Sequence, residues 1–341
     1  MSIMQAMMGV RQICGLISSL ILFFLLSSCA SSRLETGPKI RVAIRNGSLK
    51  IHDIPLEKYV MGVLEKEVPA NWPPEALKAQ AVASRTYALY RREHPRNEKF
   101  DIDSNVSDQA FVKKRHHPRS IEEAVSETED QVLTYNGNLL PAFFHSCCGG
   151  TNEPADKVWP GPYQLPLLSP HDDPHCEACP RSHWEVSIPR QELTELLDAR
   201  GHTLEDPWAL EVSERNDSGR VTQVTFRFKK GELALPGTTF REILGYDRLP
   251  STLFEITSPE DPIVFSGRGS GHGVGLCQWG ARGMADEGRS ALEILEFYYP
   301  GADVTSIDQA FKPQSGAEGE ATQAPTNDPV GEIINNEDSS L

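Results

Sequence analysis

An α+β fold is predicted by three features of the sequence. Two Asn-Gly pairs, Asn46-Gly47 and Asn136-Gly137, each lie between short runs of strand-forming residues, and Asn-Gly supplies the two positive-φ residues of a tight hairpin turn. A long alanine-rich stretch follows Pro73-Pro74-Glu75, and proline is tolerated in the first turn of a helix. No strand–helix–strand rhythm links these elements, which argues against a doubly wound parallel sheet.

In chain order, Arg41–Arg45 and Ser48–Ile54 predict the first hairpin around Asn46-Gly47. Leu56, Tyr59, Val60, Val63 and Leu64 repeat at helical spacing and predict the first helix. The second helix runs from Pro73-Pro74 to about Arg92. A second hairpin is expected from Val132–Tyr135 and Leu139–His145 around Asn136-Gly137, and a third over Val221–Leu235, turning at Lys229-Lys230-Gly231. Weaker helical patterns occur at Ser120–Glu129, Arg190–Arg200, Thr238–Leu244 and Ser290–Tyr298.

The ends have a different character. Arg11, the apolar run Leu16–Leu26, and then Ser27-Ser28-Cys29 have the shape of a signal peptide over residues 1–28, too short to span a bilayer as a mature helix. Leu26-Ser27-Ser28-Cys29 looks like a bacterial lipobox, which makes Cys29 the expected site of lipidation. The alternative is an ordinary signal peptide that contains a cysteine. No aspartate follows Cys29, so the expected location is the cell envelope, lipid-anchored at the periplasmic face of the outer membrane. Residues 29–39 are expected to be a linker, 40–312 a single folded domain, and 313–341 a disordered acidic tail poor in residues that could offset ordering entropy. The tail carries six acidic residues and no Lys or Arg, so the rest of the chain has a net charge of −9 out of −15. That balance argues against nucleic acid as a partner.

On a helical wheel with Leu56 at zero, Glu67 falls at about 20°, inside the apolar stripe, whereas Glu65 falls on the opposite face. A carboxyl half-buried among apolar groups holds its proton to higher pH, the condition for a general acid near neutrality. The wheel alone allows a second reading, a structural glutamate paired with a buried arginine such as Arg85. On the second helix Gln80 shares the packed face with Ala76, Ala79 and Ala83. It serves either to satisfy the core or to position substrate or Glu67.

Several motifs in one order resemble the SpoIID/LytB family. They are Leu56–Val63, Glu67-Val68-Pro69, Pro74–Tyr87, Phe144-His145-Ser146 with Gly149-Gly150, Gly267–Gly275, and Gln278-Trp279-Gly280-Ala281. The resemblance covers about residue 40 to Gly301, with Trp279 where many relatives have tyrosine. It implies a lytic transglycosylase acting on peptidoglycan strands stripped of stem peptides, with Glu67, of the Glu-x-Pro element, as the one catalytic acid and base. It implies Gln80, Arg85, Thr86, His272 and Gln278 as substrate-binding residues. A cell-wall amidase is the implied functional partner, in division, sporulation-like engulfment or remodelling. The LytB side of the family implies the alternative of a non-catalytic amidase enhancer or glycan-binding regulator.

Gly267–Gly275 lacks the Gly-Lys-Ser/Thr of a phosphate loop, so its glycines are expected to allow close backbone approach. His272 within it is either a site residue or a structural histidine. Cys176-Glu177-Ala178-Cys179 has metal-ligand spacing. With His145 and Cys148 it makes a candidate structural zinc set, Cys147 and His175 being substitutes; the alternative is a disulfide. Cys277 reads as an isolated buried thiol.

Overall fold

The computed structural model describes residues 37–312 apart from 47, 96, 105–107 and 160–170. The expected signal peptide, Cys29, most of the linker and the acidic tail lie outside the described residues.

Strands β1 (Lys39–Asn46) and β2 (Ser48–Pro55) form the first expected hairpin. Helix α1 (Leu56–Glu67) follows directly, with Leu56, Tyr59, Val60, Val63 and Leu64 all at most 1% exposed. Burying each such side chain contributes roughly 2 kcal/mol. The helix stops where Pro69 pushes Val68 into an extended conformation, leaving Glu67 as its last residue. Helix α2 (Pro74–Glu93) starts with proline in its first turn. A short β3 (Ile102–Asp103) pairs parallel with β1.

Helix α3 (Arg119–Glu127) leads to β4 (Gln131–Tyr135) and β5 (Asn138–Leu139). Their turn has Asn136 at φ 50° and Gly137 at φ 76°, as expected. The expected second arm, Leu139–His145, is mostly not strand. The chain leaves β4 after Leu139, and β6 (Phe144–His145) pairs parallel with β13 (Leu276–Cys277) instead. Between these two strands the chain makes an excursion containing α4 (Ala155–Val158), β7 (Trp184–Ile188), α5 (Arg190–Asp198), β8 (Trp208–Arg215), β9 (Val221–Phe228), β10 (Gly231–Pro236), α6 (Gly237–Leu244), β11 (Phe254–Ser258) and β12 (Ile263–Gly267). Lys229 and Lys230 are the two turn residues of the third hairpin, with Phe228 opposite Gly231. After β13 come α7 (Gln278–Asp286), α8 (Ala291–Tyr298), β14 (Asp303–Ser306), which returns to pair with β4, and α9 (Ile307–Ala310).

The fold is thus α+β. Two buried clusters flank α1 and α2, and partly buried Phe144 and Trp279 pack against both. A third cluster, around Phe226, Phe240 and Phe265, is built wholly from residues 188–265 of the excursion. Arg220 ties that part to the rest. It pairs with Glu153 at 3.4 Å, both 2% exposed, and donates to the carbonyl of Cys148 at 2.7 Å. No described helix is long and apolar enough to cross a membrane.

Candidate active site

Glu67 is half-buried at the end of α1 and holds two hydrogen bonds. The Ala110 backbone N–H donates to Oε1 at 2.9 Å, and the Gln278 side-chain amide donates to Oε2 at 3.2 Å. Burial pushes its carboxyl above the usual carboxylate range, against the opposing pull of these two donors. The competing reading, an ion pair with Arg85, is excluded by geometry. Arg85 is fully buried and forks onto Glu57, at 2.8 and 2.6 Å.

A polar chain runs behind Glu67. Tyr59 Oη donates to Gln109 Oε1 at 2.9 Å, and Gln109 Nε2 donates to the Ser84 carbonyl at 3.3 Å. Gln80 Nε2 donates to Ser84 Oγ at 3.0 Å, while Gln80 Oε1 is buried without a partner. These bonds fix the segment whose next residue, Ala110, holds Glu67. An aromatic wall adjoins it. Trp72 meets Trp279 edge-on with ring centroids 5.2 Å apart, and the Arg282 guanidinium lies 4.8 Å from the Trp279 ring centroid and 5.7 Å from that of Trp72. Trp72 is buried in the core and Trp279 half-buried, so Trp279 is the ring of the pair with a partly open face.

The expected substrate residues divide. Gln278 reaches Glu67. Gln80 is 1% exposed and sits in the supporting network. Arg85 and Thr86 lie inside the fold, which corrects the expectation of substrate contact. Thr86 Oγ1 donates to the Val82 carbonyl at 2.7 Å and accepts from the Leu133 N–H at 2.9 Å, while Arg85 is spent on Glu57. His272 packs among Trp159, His145 and Phe143, at centroid distances of 4.8, 5.5 and 6.4 Å. Its Nδ1 accepts from the Val274 N–H at 3.0 Å, and burial drives its pKa well down, so the ring is neutral.

The cysteines converge more fully than expected. Ligand atoms of Cys148, Asp173, Cys176 and Cys277, all buried, lie within 4.8 Å of one another. This buried Cys/Asp cluster is able to hold a metal. Of the expected set, Cys148 and Cys176 belong to this cluster; Asp173 and Cys277 join them, while Cys179 lies against Cys147. The reason is topological: β13 runs beside β6 and delivers Cys277 to the Cys148 loop, where the Cys148 N–H donates to Cys277 Sγ at 3.3 Å. His145 instead places Nδ1 3.1 Å from the Val274 carbonyl, its Nε2 buried without a partner, and burial pushes its pKa down to about 3. All five described cysteines are unbridged. Cys148 and Cys176 sulfurs lie 3.4 Å apart, well beyond the ~2.05 Å of a disulfide.

Thiol hydrogen bonds from Cys147, Cys148 and Cys277 hold Cys176 far below the ordinary thiol range, and the bond with Cys176 raises Cys147 and Cys148 in turn. Tyr298 Oη donates to Asp173 Oδ2 at 2.9 Å, and the His175 N–H donates to Asp173 Oδ1 at 2.9 Å, which orients that carboxylate. Three sulfurs and one oriented oxygen fit zinc in number and softness. Gln109, Ala110, Trp72 and Asp173 have no motif of their own. Only the aromatic character of Trp72 beside the Glu-Val-Pro element offered a sequence signal.

The fold and the site define an α+β protein with a raised carboxyl, Glu67, at the end of α1. Residues 45–135 match the family described as Stage II sporulation protein (SpoIID), and residues 167–275 match a Domain of unknown function (DUF8618). An uncharacterized protein of Brachyspira hyodysenteriae is 34% identical over 264 residues, 77% of this chain and 70% of that protein. Stage II sporulation protein D of Bacillus subtilis is 30% identical over 306 residues, covering 83% of each chain. The Amidase enhancer of Bacillus subtilis is 29% identical over 301 residues, 72% of this chain and 40% of that protein's length. The chain belongs to the SpoIID/LytB family.

Proposed function

We propose that this protein is a peptidoglycan lytic transglycosylase that cleaves glycan strands lacking stem peptides, with Glu67 as the single general acid and base. The observation that carries this reading is the Glu67 carboxyl itself, raised by burial yet held by two donors beside the Trp72–Trp279 wall. Protonated Glu67 donates its proton to the glycosidic oxygen as the bond to muramic C1 breaks. The resulting carboxylate, steadied by Gln278 and the Ala110 N–H, takes the proton of the muramic 6-hydroxyl as that oxygen closes onto C1. The products are a free sugar hydroxyl and a 1,6-anhydro end. One carboxyl suffices, whereas two-carboxylate hydrolysis needs a second at a fixed separation. The deciding experiment incubates wild type and Glu67→Gln with amidase-treated strands and reads anhydro-muramic ends by mass spectrometry. Wild type producing none overturns the lytic reading, and equal products from both proteins overturn the role of Glu67.

The similarity to an Amidase enhancer supports a second reading, a regulator of a cell-wall amidase. Stimulation of amidase turnover by wild type and Glu67→Gln alike, without anhydro ends, is its signature. The reading includes a structural zinc at Cys148, Asp173, Cys176 and Cys277, and an envelope location with a lipid on Cys29. Metabolic labelling with a fatty acid, lost in Cys29→Ala, tests the anchor.

A further inference from the structure

The Ala110 N–H, one of the two donors on Glu67, belongs to a short strap, Asp108-Gln109-Ala110-Phe111, in the loop between β3 and α3. The residues on either side of Ala110 are tied to α1, α2 and β3. Asp108 Oδ1 accepts from Tyr87 Oη at 2.9 Å, and Oδ2 accepts from the Asp103 N–H at 2.9 Å. Gln109 is 1% exposed and is gripped at both ends of its amide, by Tyr59 Oη at 2.9 Å and by the Ser84 carbonyl at 3.3 Å. Beyond Ala110, the Phe111 N–H donates to the Ser104 carbonyl at 3.3 Å, and the Phe111 ring stacks on Tyr59 with centroids 5.1 Å apart. Ala110 itself has only a methyl group, so its neighbours aim its N–H.

Tyr59 and Gln109 are both buried and so cannot touch a strand lying in the cleft. Burial also keeps the Tyr59 hydroxyl protonated. The titratable groups around this corner are Tyr59 on α1, Tyr87 on α2 and Asp108 on the strap, with Arg91 of α2 3.9 Å from Asp108 Oδ1. From α7 comes the neutral Gln278.

We propose that Gln109 is a positioning residue for the general acid: locked between Tyr59 and the Ser84 carbonyl, it aims the Ala110 N–H at Glu67 Oε1. Its catalytic consequence rests on the glycan-cleaving reading of Glu67. A backbone N–H on Oε1 favours the charged carboxylate. A strap tied on both sides of Ala110 keeps that donor in place while Glu67 passes from acid to base, so the carboxylate forms against a dipole already oriented.

The test follows Glu67 itself. Its carboxyl carbon resonance, assigned by its absence from Glu67→Gln, is titrated in wild type, Gln109→Met and Tyr59→Phe. Neither of the last two substitutions removes a charge, and Tyr59→Phe keeps the ring that stacks on Phe111. A loosened Ala110 N–H disfavours the carboxylate, so the Glu67 midpoint is expected to rise by about one pH unit in both variants. In the cleavage assay kcat falls and KM is unchanged. Arg85→Met, which leaves Glu57 unpaired at the other end of α1, lowers the thermal midpoint without moving the Glu67 titration. A Glu67 midpoint unmoved in either strap variant overturns the proposal, as does an equal rise in Arg85→Met or a loss that falls on KM alone. The titration needs no turnover. A shifted midpoint in a protein that forms no anhydro ends defeats the lytic reading and leaves the hold of Gln109 on Glu67 standing.

Discussion

Glu65 and Glu67 stand two residues apart on α1, and their surroundings drive their carboxyls in opposite directions. Desolvation is the largest influence on both and raises both. At Glu65 it is outweighed by hydrogen bonds from Lys114 and His117, which bring the carboxyl below its ordinary range. At Glu67 it wins over Gln278 and Ala110, and the carboxyl stays above that range. Separation of two nearby carboxyls by environment is how one fold assigns one of them to acid chemistry.

Glu67 carries a stability cost with a definite sign. Its pKa in the folded state lies above the ordinary 4.5. Between that value and the raised one the unfolded chain binds fewer protons than the folded one, so stability falls as pH rises through that window and levels off above it. Glu67→Gln removes the penalty. Its thermal midpoint is expected to exceed that of wild type at neutral pH, with the gap closing as pH falls toward 4.5. A gap independent of pH contradicts this account.

Gln278 favours the charged form of Glu67. Gln278→Leu is expected to raise the Glu67 pKa further and move the alkaline limb of the kcat/KM–pH profile upward, with reduced kcat where the carboxylate must act as base. An unshifted limb assigns Gln278 to substrate contact alone.

The Arg85–Glu57 pair is buried, at 0% and 9% side-chain exposure. Arg85→Met leaves the Glu57 charge without its partner, and a loss of about 3–5 kcal/mol in urea unfolding is expected. Glu57→Gln/Arg85→Met together is expected to recover part of it, since no lone charge remains.

Metal content separates the Cys148, Asp173, Cys176 and Cys277 cluster from the set the spacing suggested. In protein purified without chelator, Cys148→Ser and Cys277→Ser are expected to lose zinc by elemental analysis, while Cys179→Ser retains it. Loss in Cys179→Ser with retention in Cys277→Ser restores the spacing-based set.

Gly283 lies inside α7, where alanine normally stabilises a helix by about 1 kcal/mol over glycine. Here an added Cβ overlaps the His175 backbone carbonyl of the cysteine loop. Gly283→Ala is therefore expected to lower the thermal midpoint despite its better helix propensity.

The sequence made α1, α2 and the Asn136-Gly137 turn legible because their residues are selected by local geometry: apolar spacing, proline in a first turn, positive φ. Glu67 was legible for the same reason, as a polar group on an apolar stripe. Helix α7 was not, because Gly280 and Gly283 give it a loop's composition. They are there for close packing, since a Cβ on Gly280 meets Tyr298 and Asp173. Cys277 could not be joined to Cys148 by spacing, because the parallel pairing of β6 with β13 brings them together from distant parts of the chain. Arg85 was legible as a buried cation but not as the partner of Glu57, which lies at the edge of the wheel's apolar stripe.

The bond from Gln278 to Glu67 spans 211 residues of sequence, and the chain emerges from the ribosome N-terminus first. The aromatic core of residues 188–265 can close on itself early, since its contacts are local to the excursion. The Glu67 cleft cannot, because its second donor and the Trp279 half of its wall come from the last quarter of the protein. Assembly of the cleft is thus a late event in the life of each molecule, and a chain truncated between Ala110 and α7 carries the carboxyl but lacks Gln278 and Trp279.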